Sequence, residues 1–179
     1  MPTVITKDKL DILLQNIQAL TKSRVLVGIP GDAKARKDTK EPPNFVLGYI
    51  NEFGEPSLNI PARPFLFPGV KLARARIIAI AKAGGKTATQ LNSQVNIAEE
   101  TLIKMGETAA TSVRKRIVDG PFVPLAASTL QARARKGRKG AIKELANRAL
   151  GMPASNEFAK PLIDTGAMRQ SVTFVIDKK

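Results

Sequence analysis

Strand-like alternation occurs only in short, widely separated stretches of this sequence, whereas helical periodicity recurs along most of it. That imbalance limits the fold more than any other feature. Arg24-Val25-Leu26-Val27-Gly28-Ile29 is a β-branched run closed by Pro30-Gly31. Ser171 to Ile176 alternates, with Val172, Phe174 and Ile176 on one face. The expected fold class is α+β: a small mixed or antiparallel β-sheet packed with several helices. The chain has 179 residues and 43% hydrophobic residues, enough for a buried core. We expect a single domain over 1–179 with mobile loops at about 31–43 and 136–160.

The helices follow from spacing and punctuation. Leu10, Leu13, Leu14, Ile17 and Leu20 form one apolar stripe, with Thr6 placed to cap it. A short helix is expected from Phe45 to Phe53, ended by Gly54. Pro56, Pro61, Pro64 and Pro68 then exclude helix from Glu55 to Pro68, where Phe65 and Phe67 alternate as in an edge strand or an extended arm. Val70 to Ala83 is helical in pattern and broken by Gly84-Gly85. The longest helix, about 95–118, carries Leu102, Met105, Ala109, Val113 and Ile117 at helical spacing and ends at Asp119-Gly120-Pro121. Ser128 begins another helix. Gly137 and Gly140 put a loop between two helical pieces, and Gly151 to Lys160 reads as a second loop.

Composition excludes several kinds of chemistry. The chain has no Cys and no His, so thiol nucleophiles, Cys/His zinc sites and Ser-His-Asp triads are impossible. No run approaches the length of a membrane span, and no signal-like apolar region opens the sequence, so a soluble protein made inside the cell is expected. Asp164-Thr165-Gly166 spells the active-site tripeptide of aspartic proteases. Such an enzyme needs two paired carboxylates and more strands than the 13 residues after Gly166 supply. Asp164 is therefore expected to cap a helical turn, with Gly166 easing the reversal. Gly85-Lys86-Thr87 lacks the upstream glycine and strand of a phosphate loop. Glu99 and Glu100 point about 100° apart on a helix and share no ligand face. No catalytic residue, metal or cofactor is expected.

Charge is the strongest physical signal. The formal net charge is +14. Residues 133–148 hold seven bases against one acid, and Arg133, Arg135, Lys136, Arg138, Lys139 and Lys143 are placed to meet phosphates or an acidic partner. No aromatic residue is interleaved to stack on bases.

Four segments, in order, resemble a known family. They are Asn51-Glu52-Phe53-Gly54, Ile60-Pro61-Ala62-Arg63-Pro64-Phe65, Gly120 to Leu125 with Ser128-Thr129, and Pro161-Leu162-Ile163-Asp164-Thr165-Gly166 with Ser171. Together they look like the neck and tail-completion proteins of long-tailed bacteriophages, also described as phage virion morphogenesis or minor tail protein Z-like. The likeness spans about Arg24 to Ile176, and the proline-rich Ile60–Phe65 piece is its most specific part. It implies a structural virion protein, not an enzyme, at the head–tail junction or tail. Such a protein works as a homo-oligomeric ring, six- or twelve-fold. Its neighbours are the head connector or portal adaptor and the tail tube or tail terminator, and it has no membrane role. Gly31–Pro43 and Ala141–Lys160 are longer and more charged than the common pattern.

Beside the resemblance, Ile60, Pro61, Arg63, Pro64, Phe65 and Phe67 are expected at a subunit or partner interface. Phe65 fills either a neighbour's pocket or its own subunit's edge. Glu52 is expected near Arg63. The +14 charge suits a ring that lines packaged DNA. The alternative is a sequence-independent nucleic-acid-binding protein that uses 133–148.

Overall fold

The computed structural model describes residues 7–31, 42–90 and 96–178. They fall into two compact units. One comprises Met1–Gly28, Gly69–Ser112 and Thr173–Lys179, the other Ile29–Pro68 and Val113–Val172. The class is α+β: helices with one two-stranded antiparallel sheet.

In the first unit, α1 (Lys7–Lys22) runs directly into β1 (Ser23–Gly28). β1 pairs with β2 (Thr173–Lys178), from Ser23 opposite Lys178 to Gly28 opposite Thr173. Arg24 and Asp177 form an ion pair across the ribbon. Helices α3 (Leu66–Ala88) and α4 (Ile97–Asp119) contribute their residues 69–88 and 97–112. Small side chains (Ala73, Ala88, Ala98, Ala109 and Ala110) fill this interior with Leu102. Close approach explains why α3 passes through Gly84-Gly85 instead of breaking there. A Cβ on Gly84 would sit 2.1 Å from Thr101 Oγ1, so the helices meet at that point. The intrinsic penalty of glycine in a helix, about 1 kcal/mol, is offset by that contact. Gly106 likewise lies under the Phe174 ring. The α1 stripe is only partly covered, with Leu10 and Leu14 nearly half exposed. The Thr6 cap lies outside the described residues, as do positions 32–41 of the 31–43 loop.

The second unit contains α2 (Asn44–Phe53), α5 (Ala127–Arg135), α6 (Lys139–Ala149) and the short α7 (Ala167–Ser171). Here the proline stretch departs from expectation. Pro56–Leu58 is a 3₁₀ turn, and an isolated bridge pairs Glu55 with Ile60. Helix α3 starts at Leu66 and takes Phe67 and Pro68 into its first turn, where a missing proline N–H leaves no internal bond unmade. Phe65, 2% exposed, is buried in its own subunit rather than ending an outward arm. The 136–160 region is no continuous mobile loop either. Helix α6 occupies Lys139–Ala149, and Gly140 is the residue that lets it approach the Phe158 carbonyl.

Candidate functional site: a basic cleft in the second unit

All four resembling segments line one cleft of about 540 Å³ in the second unit. Helix α2 ends at Gly54, φ +80°, whose N–H donates to Ile50 O at 2.8 Å. The chain then turns back, and the Arg63 N–H donates to Asn51 O at 2.6 Å. Glu52 is not the partner of Arg63. Its carboxylate accepts the N–H groups of Phe65, Leu66 and Phe67 at 2.7, 2.8 and 3.1 Å. That satisfies the free donors at the start of α3 and complements its dipole.

Arg63 is 7% exposed and borders the cleft. Its Nε donates to Val123 O at 3.1 Å, and burial pushes its pKa down. No carboxylate pairs with it among the described residues. Across the cleft, Arg133 donates to three carbonyls: Lys160 O and Ile163 O at 2.9 Å and Pro161 O at 3.0 Å. Burial lowers its pKa, Asp164 opposes this, and Arg138 and Arg63 lower it further.

Asp164 is not a helix cap. Gly166, φ +81°, precedes α7, and Thr165 Oγ1 accepts the Ala167 N–H at 3.2 Å. The Asp164 carboxylate instead faces Arg138 Nε at 2.9 Å and Arg133 Nε at 3.9 Å.

Below this wall, Glu144 is 1% exposed. It accepts from Ser155 N–H at 2.8 Å, Ser155 Oγ at 3.0 Å and Arg148 Nε at 2.9 Å. Burial pushes its pKa up, but these donors outweigh burial and hold it below the ordinary carboxylate value. Arg148 continues to Leu125 O at 2.9 Å. The Gly151–Lys160 segment is thus fastened to α6 and to the Gly120–Leu125 segment.

The basic residues expected to meet phosphates therefore divide. Arg133 and Arg138 are used inside the unit, and Lys143 lies over the Phe158 ring at 3.9 Å. Arg135, Lys136 and Lys139 are exposed. Of the expected interface residues, Arg63 and Phe65 are buried, Ile60 is half-buried, Pro61 and Pro64 are exposed, and Phe67 is 73% exposed.

Two features escaped sequence reasoning. Glu144 looked like an isolated acid in a basic run. Helix α3 carries Lys71, Arg74, Arg76, Lys82 and Lys86 with no acid, a pattern that was legible. Among the described residues, no group of three or more Asp or Glu is placed to hold a metal ion, and no helix is long and apolar enough to cross a membrane. Gly85-Lys86-Thr87 is helical and forms no phosphate loop. No family model, no curated protein and no solved structure matches the chain.

Proposed function

We propose that this chain is a structural virion protein of a tailed bacteriophage. It completes the tail or neck and joins it to the head connector through a ring of copies. The observation that supports the reading is uncovered apolar surface on both units. In the first, Leu26 and Val175 sit opposite each other in the ribbon and are 49% and 57% exposed. A two-stranded ribbon is marginal alone, and among the described residues no further strand pairs with either outer edge. In the second, Phe45, Tyr49 and Phe53 follow one another at four-residue spacing along α2, all exposed, with the last two rings 4.9 Å apart. Such surface marks contact with other proteins. The four resembling segments add support because they form one coherent cleft.

The test is light scattering after size exclusion, with negative-stain microscopy, on nuclease-treated protein at low and high salt. Closed rings that persist at high salt are expected. Leu26→Lys with Val175→Lys, and Tyr49→Asp with Phe53→Asp, should each reduce assembly. Assembly unchanged by both pairs would remove the support.

A second reading, sequence-independent nucleic-acid binding, is favoured by α3 rather than by 133–148. Lys71, Arg74, Lys82 and Lys86 fall within roughly 120° of the helix circumference and span about 22 Å. All four are exposed, and none meets a carboxylate among the described residues. A monomer that binds duplex DNA at low salt and releases it at high salt would favour this reading over the first.

A further inference from the structure

We infer that the second-unit cleft binds a peptide segment of another protein, one that places an acidic side chain on Arg63 between apolar neighbours. The inference uses only the cleft, so it is tested separately from ring assembly. Arg63 is more than nine-tenths buried, yet among the described residues only its Nε and backbone N–H have acceptors. Its two terminal amino groups carry four N–H donors; they are not among the enclosed unpartnered atoms of the unit and Arg63 lines the cleft, so these donors remain open to an acceptor from there. A carboxylate meets them with two parallel hydrogen bonds.

The remaining lining decides what surrounds the carboxylate. Leu47, Ile50, Leu58, Leu125, Leu162 and Met168 make most of the cleft apolar, so a free inorganic anion would leave them uncovered. Among the described residues the lining carries one carboxylate, Asp164, and Arg138 already holds it. Arg63 and Arg133 therefore leave an excess of positive charge. At this positive cleft an acidic segment is favoured over a segment of a second copy, whose net charge is +14, and the surfaces proposed for ring contact lie outside the lining. An acidic, apolar segment of a different protein complements both the charge and the lining.

The probes are three fluorescein-labelled octapeptides: one alternating Leu and Glu, one alternating Leu and Gln, and one alternating Ser and Glu. Binding to the whole chain is followed by fluorescence anisotropy at 150 mM salt. We expect the Leu/Glu peptide to bind at least about tenfold more tightly than either of the others. Two variants localise the effect. Arg63→Met removes the charge and Thr129→Trp fills the cleft, Thr129 being an exposed residue of its lining. Thermal melts verify that each variant is folded. Thr129→Trp leaves the net charge unchanged, so it separates occupation of the cleft from general attraction to a basic protein. Each variant should weaken the Leu/Glu peptide at least about tenfold. Equal binding of all three peptides, or full binding to Thr129→Trp, would overturn the inference. So would the absence of Leu/Glu binding, including the case where the chain self-associates and Thr129→Trp abolishes it, which would make a second copy the occupant.

Discussion

Glu144 and Asp164 are two acids of one unit that meet their arginines in different surroundings, one buried and one part-exposed. Glu144 is surrounded by donors from Ser155 and Arg148, so its charged form is favoured despite burial. Its folded-state pKa lies below the ordinary 4.5. The stabilisation is therefore fully present above that value and disappears as pH falls through the lower folded-state value. Glu144→Gln should lower the unfolding free energy at pH 7 by about 1–3 kcal/mol, since partners remain but charge is lost. Denaturant melts at pH 7, 4.5 and 3 should show the gap between wild type and variant closing only below pH 4.5. A gap constant across that series would mean that Glu144 contributes shape rather than charge. Asp164 is the contrasting case. Its carboxylate is 26% exposed and Arg138 is 42% exposed, so Asp164→Asn should cost only about 0.2–1 kcal/mol. A double-mutant cycle with Arg138→Gln checks this, and a larger coupling would show that the pair is shielded from water.

At the scale of elements, Gly84 and Gly85 are neighbours in one helix but should respond oppositely to alanine. Gly85 has nothing within 4 Å of an added Cβ. Gly85→Ala should stabilise by about 0.5–1 kcal/mol through helix propensity and a less free unfolded chain. Gly84→Ala gains the same propensity but drives its methyl into Thr101, a buried β-branched side chain that cannot swing away. Overpacking of this kind should destabilise by about 1–3 kcal/mol. Urea midpoints of the two variants moving in opposite directions is the expected result, and parallel shifts would contradict the close approach. The same pair shows where sequence legibility ended. Periodicity located α2, α4, α5 and both strands closely, because each signal is local. A glycine pair reads as a break until its partner helix is known. Pro68 read as a barrier, yet in a first turn it is harmless, and Glu52 supplies the cap from 15 residues upstream of Phe67. Asp164 was misread for the same reason: its partner, Arg138, lies 26 residues away.

For the molecule as a whole, +14 is spread unequally in its availability. The densest basic run, 133–148, was legible as charge but not as structure. Whether a guanidinium faces solvent or a carbonyl depends on a segment folded back over it, as 160–163 is over Arg133. Among the described residues no segment binds Lys71, Arg74, Lys82 or Lys86 in this way, and α3 carries no acid to offset them. If phosphates are a partner, the salt dependence should follow that distinction. Each neutralised phosphate contributes a slope of about −0.9 to log K against log salt, so four contacts contribute about −3.6. Titrating labelled 20-base-pair duplexes of two unrelated sequences between 50 and 200 mM salt gives the wild-type slope. Replacing Lys71, Arg74, Lys82 and Lys86 with Gln should make it shallower by roughly 3–4, equally for both sequences. Arg135→Gln with Lys139→Gln removes only two exposed cations and should make it shallower by no more than about 1.8. The opposite result, with the slope falling in the Arg135/Lys139 variant and not in the α3 variant, would return the phosphate surface to the 133–148 run. It would also leave the basic face of α3 as solvated charge.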